Sequence, residues 1–268
     1  MMEPELTQLS DTIRLAGARA CELATRGFEV HTKHDRSPVT TADLEVNRML
    51  HEMQRAHFPD DGWLSEESPD DPARLARRRV WIVDPIDGTK AYVNRLPEFC
   101  ISVALVEQGK PVLAAIFNPS TDELFTAIRN QGLLLNGRPI ARTSSHDTPA
   151  LVMVSSREFR NGRWAGLDGL VQFRPMLSIA NALALVAAGR IQATLTIEPE
   201  NEWDLAAGVL LIEESGGVVA DAEGRPFTFN QPTPQFHGVI AVAATAGREL
   251  HPLLQAQADQ ARTKKKRS

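Results

Sequence analysis

Cysteine is scarce in this chain, and long apolar runs are missing altogether. There are two cysteines in 268 residues, Cys21 in a helical pattern and Cys100 in an apolar one. That is too few for a disulfide framework or a thiolate metal knot, so both are expected to be reduced, buried and without a catalytic part. No stretch approaches the roughly 18 apolar residues a membrane span needs, and the opening MMEPELTQLSDT has no apolar signal core. A membrane partner is therefore not expected, and the cytoplasm is the expected location. Positive charge is in deficit too: 29 Lys+Arg against 34 Asp+Glu leave a net charge of -5, with a pI near 5.8. Such a balance makes a nucleic-acid polymer a poor partner.

The glycine-rich stretches match neither G-x-x-x-x-G-K-[ST] nor G-x-G-x-x-G, which argues against a kinase. None of the seven histidines, His31, His34 and His51 among them, has metal-ligand spacing. Internal repeats and low-complexity linkers are also missing. The one dense charge run, residues 262–268, reads as a frayed, solvated tail.

What is present is ordinary globular material, 43% hydrophobic and 24% charged, long enough for about two domains. Leu6, Leu9, Ile13, Ala16, Ala20 and Leu23 recur at spacings of three and four, predicting a helix over 5–26 that ends near Gly27. A second helix should follow Thr40 with Val46, Met49, Leu50 and Met53 on its apolar face, breaking at Phe58-Pro59-Asp60-Asp61-Gly62. The WLSEES segment after it reads as a loop. Short apolar runs at 80–83, 100–106, 112–117 and 123–128, separated by turn residues, predict an antiparallel meander.

Beyond residue 145 strands alternate with helices: strands at 151–155, 193–197, 218–220 and 238–243, helices at 179–188 and 204–215, then a last helix. The expected division is 1–145 as an α+β part, 146–250 as an α/β part, and 251–268 as terminal helix and basic tail.

The apolar run Val80-Trp81-Ile82-Val83 stops at Asp84-Pro85-Ile86-Asp87-Gly88-Thr89. Pro85 fixes φ and Gly88 permits a tight turn, so the loop can hold two carboxylates close together. Like charges that close need a cation, and hard oxygen ligands are how Mg²⁺ is usually held. Each carboxylate also has a structural explanation. Asp-Gly is a turn dipeptide and Asp84 could serve an Asx turn; Glu66 and Glu67 could be a solvated acidic loop. Asp204 could be the N-cap of the helix at 204–215, and Thr40-Thr41-Ala42-Asp43 fits a capping box.

Together, LSEES, DPIDGT, EWDLAAG with its later ESGG, and SPVTTAD resemble the inositol monophosphatase superfamily of metal-dependent, lithium-sensitive phosphomonoesterases. The resemblance covers most of residues 5 to 245 and implies an α/β (α+β layered) fold, an αβαβα sandwich of the inositol monophosphatase and fructose-1,6-bisphosphatase type. It implies two or three Mg²⁺ ions, with Mn²⁺ suited to the same oxygens. Glu66, Asp84 and the Ile86 carbonyl would hold the first; Asp84, Asp87 and Asp204 would hold the second.

Thr89, paired with Asp43, would orient the attacking water, Glu66 would assist, and Gly88, Thr89, Asp87, Asp204 and Ser178 would meet the substrate. Glu67 ranks below these. Lys33 to Thr40, Leu64 to Glu67, Lys90 and Glu98-Phe99 look most like the 3'(2'),5'-bisphosphate nucleotidases, with inositol monophosphatases next and histidinol-phosphate and fructose-bisphosphate phosphatases behind. Leu177-Ser178-Ile179-Ala180-Asn181 departs from the small-residue segment many relatives carry, which bears on the substrate and not on the metal ligands. The family makes a homodimer one expectation, and a phosphatase-like protein that chiefly binds a partner is the non-enzyme alternative.

Overall fold

The computed structural model describes residues 2–33, 37–140, 149–164, 167, 169–246 and 249–265. The expected division near residue 145, His34 and residues 266–268 of the basic tail lie outside them. The chain runs α1 (Glu3–Arg26), β1 (Val30–Thr32), β2 (Pro38–Thr40), α2 (Thr41–His57), β3 (Gly62–Ser65), β4 (Arg79–Asp87), α3 (Thr89–Val93), β5 (Cys100–Glu107), β6 (Lys110–Asn118), β7 (Glu123–Ile128), β8 (Leu133–Leu135) and β9 (Arg138–Pro139). It continues through β10 (Ala150–Ser155), α4 (Ser156–Arg160), β11 (Val171–Met176), α5 (Ile179–Ala187), β12 (Ala193–Thr196), β13 (Glu200–Asn201), α6 (Glu202–Ser215), β14 (Val218–Ala220), β15 (Gln235–Phe236), β16 (Val239–Val242) and α7 (Leu250–Lys265).

Strands β3 to β9 form one seven-stranded sheet in sequence order, antiparallel except for β3 beside β4. Alternation along β4 explains why both faces of this sheet are covered. Trp81 and Val83 face α1 and α2, packing with Leu9, Ile13, Val46 and Leu50. Val80 and Ile82 face the other way, with Leu183, Leu205 and Val209 of α5 and α6. Each such side chain, wholly buried, contributes roughly 1.5–3 kcal/mol.

The second sheet, ordered β11-β10-β12-β16-β14, receives the far side of α5 and α6 through Val239 and Ala241. Its other face packs on Leu254, Ala258 and Ala261 of α7. The layers are therefore α, β, α, β, α, as the sequence resemblance implied. In the central layer α5 and α6 approach so closely that a Cβ on Gly208 would sit 2.4 Å from Leu183 Cδ1.

Some elements differ from expectation. Residues 62–65 are a strand and not a loop. Val171–Met176 is an unexpected edge strand parallel to β10, carrying Arg174 and Pro175, which an edge tolerates. The β1–β2 hairpin has three exposed residues in β1 and two half-buried ones before the buried Thr40 in β2, with no apolar alternation to announce it. Both cysteines are free; Cys100 is buried but Cys21 only half-buried. Among the described residues no helix is long and apolar enough to cross a membrane.

Candidate active site

Strand β4 does not stop at Val83 but continues to Asp87, with a register shift: Asp84 pairs with Ser102 and Asp87 with Cys100. Three steps on β4 thus span two on β5. In a regular strand residues three apart face opposite sides; the extra residue of a bulge cancels that. One carboxylate oxygen each of Asp84, Asp87 and Asp204 lies within 4.8 Å of the others. Asp84 is 2% and Asp87 8% exposed.

Asp204 arrives from the first turn of α6, where it is the third helical residue and not the N-cap. Asn201 is the N-cap, and Asp204 Oδ2 accepts from its N–H at 2.7 Å. Asp43 repeats this arrangement on α2. Its Oδ2 accepts from Thr40 N at 2.8 Å and Thr40 Oγ1 at 2.5 Å, closing the capping box, while its Oδ1 accepts from Thr89 Oγ1 at 3.2 Å. On Asp43 the capping bonds and the Thr89 contact use different oxygens, so a structural and a functional reading of it do not compete. Asp84 likewise makes an Asx turn, accepting from Ile86 N at 3.0 Å.

Asp87 is fixed from the other side of the site. Ser178 Oγ donates to Asp87 Oδ2 at 2.5 Å and Ala180 N donates to the same oxygen at 2.6 Å, at the start of α5. Ser178 Oγ also accepts from Asn181 N, so this hydroxyl, expected at the substrate, is engaged with a carboxylate and its own helix.

Glu66 follows β3. Lys33 Nζ lies 2.6 Å from an oxygen of Glu66 and 2.6 Å from one of Glu67. Burial opposes the Lys33 ammonium, but the two glutamates outweigh it and hold its pKa above the ordinary lysine value. Burial pushes Glu67 up to about 7, Lys33 restraining the rise.

Burial, with crowding behind it, sets the electrostatics. Burial first, then Glu66, Asp87 and Asp204, push Asp84 well above the usual carboxylate range. Burial raises Asp87 to about 6, against the pull of its Ser178 bond, and burial with Asp87 and Glu66 raises Asp204 well above its usual value. Among the described residues no Lys, Arg or His pairs with Asp84, Asp87 or Asp204. Unpaired like charges of hard oxygen donors, on the buried Asp84 and Asp87 and the half-buried Asp204, fit a divalent cation such as Mg²⁺.

One carboxylate went unread in the sequence. Glu200 on β13, half-buried, is raised well above the usual range by burial and by Asp204 and Asp87. Lying between Pro199 and Asn201, it carries no periodic signal. Lys33 was legible only as part of a motif, because its contact with Glu66 spans 33 positions.

Gly88 holds the turn after the pair. Its φ is +90°, and an added Cβ would lie 2.9 Å from Glu98 O and 3.0 Å from Ser178 Cβ. Gly88→Ala is therefore expected to cost about 1–3 kcal/mol from the backbone conformation alone, with the clash adding to it. Melting temperature and phosphate release should fall together; an unchanged melting curve would contradict the steric reading.

A layered αβαβα scaffold that gathers carboxylates at a strand end and two helix starts is the architecture of the metal-dependent phosphomonoesterases. The inositol monophosphatase family profile matches residues 2–263, and the chain belongs to that family. It is 37% identical over 208 residues to an inositol-1-monophosphatase of Rhizobium meliloti, covering 74% of this chain and 77% of that one. It is 31% identical over 235 residues to the Nus factor SuhB of Salmonella typhimurium, covering 83% and 87%. An IMPase structure from Thermotoga maritima superposes with a TM-score of 0.83 at 26% identity, covering 98% of this chain and 99% of that one.

Proposed function

We propose that this phosphatase hydrolyses a small phosphate monoester with Mg²⁺ held by Glu66, Asp84, Asp87, Asp204 and the Ile86 carbonyl. The observation carrying this is the triad of Asp84, Asp87 and Asp204, whose oxygens lie within 4.8 Å of one another. Divalent ions, when bound, neutralise the phosphate and lower the pKa of an attacking water.

The chain's own residues orient that water. Thr89 Oγ1 is 3.2 Å from Asp43 Oδ1 and 3.1 Å from Ile86 O, and its one hydrogen serves one acceptor at a time. With the hydrogen on Asp43, the lone pairs of Thr89 Oγ1 accept from the water and align it on phosphorus. Asp43 is 1% exposed and is held by Thr40, so the acceptor does not wander. The backbone N–H groups of Gly88 and Thr89, at the turn into α3, would meet phosphate oxygens, with Asp87 and Asp204 beside them.

For the ester, we infer a polyol phosphate of the inositol 1-phosphate class. Relatives bearing the inositol monophosphatase name support it. So does the placement of residues that had favoured a nucleotide: Lys33 is engaged with Glu66 and Glu67, and Phe99 is core, edge-on to Tyr92. Adenosine 3',5'-bisphosphate is the second reading, favoured by the exposed Lys90 next to Thr89, a cation for a second phosphate.

Phosphate release from both esters in parallel, with Mg²⁺ and with or without Li⁺, tests this. Mg²⁺-dependent, Li⁺-suppressed release faster from the inositol ester is expected. Faster release from the nucleotide would reverse the substrate and leave the mechanism standing. Silence on both, and on histidinol phosphate and fructose bisphosphate, would favour a partner-binding role.

A further inference from the structure

The face of α2 that carries Asp43 carries two more polar residues at successive turns, Asn47 and His51. Residues four apart on a helix lie above one another, so the three form one stripe. Asp43 reaches Thr89, while the next two reach the segment bearing Glu66. Asn47 Oδ1 accepts from Ser65 Oγ at 2.7 Å and Asn47 Nδ2 donates to Ser68 Oγ at 3.0 Å. One amide therefore grips the residues on either side of Glu66-Glu67, using both its acceptor and its donor.

Ser68 Oγ is gripped a second time, by Trp63 Nε1 at 3.1 Å. Trp63 in turn stacks on His51, ring centroids 4.6 Å apart and 15° from parallel. Backbone bonds across the segment are long: Glu66 N to Val83 O is 3.2 Å and Ser68 N to Ser65 O is 3.4 Å. The turn after β3 thus depends on side chains for its shape.

We propose that Asn47 is a positioning residue, which with Ser68 and Trp63 presents the Glu66 carboxylate to divalent metal. It rests on the reading of Glu66 as a metal ligand. Asn47 itself is not among the proposed metal ligands; both ends of its amide are taken by Ser65 and Ser68. Without this brace, Glu66 would have to be ordered on each binding event, and the cost would appear in metal affinity before it appeared in chemistry. At saturating metal most of the turnover should return.

The test is Mg²⁺ affinity by calorimetry on the full chain without substrate, alongside the Mg²⁺ dependence of phosphate release. Asn47→Ala should weaken Mg²⁺ binding by about 10-fold, and the 10- to 100-fold range is typical when a group holding a ligand is removed. Substrate KM at saturating Mg²⁺ should stay within about two-fold, whereas a merely structural role would not separate the two. Trp63→Phe keeps the stack on His51 but deletes the N–H, so it should act in the same direction if Asn47→Ala fails to fold.

Glu66→Gln is the reference. In that background Asn47→Ala should add nothing further to the loss of affinity, because the path to the metal is already cut. If Glu66→Gln weakens Mg²⁺ binding but neither Asn47→Ala nor Trp63→Phe does, the brace is wrong. If Glu66→Gln leaves Mg²⁺ affinity unchanged, the ligand assignment itself fails, and the brace with it.

Discussion

Asp87→Asn is expected to lose turnover by about 10³-fold or more, the size of several kcal/mol of forgone charge stabilisation, while the fold survives. Survival follows from the hydrogen bonds. Asp87 Oδ2 accepts from Ser178 Oγ and Ala180 N, and an asparagine carbonyl oxygen in the same place accepts both. Its charge, by contrast, is a liability to the metal-free chain: burial raises the Asp87 pKa to about 6, and Asp84 and Asp204 crowd it.

Removing that charge should leave the metal-free melting temperature unchanged or higher, at about 2–4 °C per kcal/mol for a chain of this size. The rise in melting temperature that Mg²⁺ gives the parent protein should shrink in the variant, because stabilisation by a ligand falls as its Kd rises, following RT ln(1 + [L]/Kd). Melting curves with and without Mg²⁺, beside phosphate release, separate these effects. Near-normal release by Asp87→Asn with Mg²⁺ would remove Asp87 from the ligand set.

The two aspartates of β4 were the more legible carboxylates, set as a pair where an apolar run ends, although alone they read as a turn and only the set of motifs pointed to metal. Asp43 and Asp204 were less so for a specific reason. Each is the third residue of a helix and closes a capping box with one oxygen, so local rules account for it fully and only the order of motifs marked it out. The bulge that turns Asp84 and Asp87 to one side leaves no trace in the residues, which read equally well as a loop. Helical layers were readable from spacing, since α1, α2, α5 and α6 each bury an apolar face or are buried all round. The short edge elements were not. Val171–Met176 carries Arg174 and Pro175, and β3 is four residues long and abuts an acidic run. The engagement of Ser178 with Asp87 joins positions 91 apart and is a product of packing alone.

Thr89→Ala should lower kcat by about 10² to 10⁴, the usual contribution of a positioned proton-transfer group, with substrate KM and Mg²⁺ affinity almost unmoved. Thr89 offers a hydroxyl and not a carboxylate, within hydrogen-bond reach of Asp43 Oδ1 and Ile86 O. Its loss therefore removes orientation of the water without removing charge from the metal ligands. The fold should tolerate the change: alanine is a good helix former at the first residue of α3, and Asp43 keeps its two Thr40 bonds on the other oxygen. The cost is the unpaired Asp43 Oδ1, about 1–3 kcal/mol at a buried site. Thr89→Ser retains the oxygen and should recover most of the rate. Asp43→Asn combined with Thr89→Ala should be far less than additive, since the two act as one relay. A defect confined to KM, or one that serine fails to rescue, would mean that Thr89 shapes the pocket and does not hold the water.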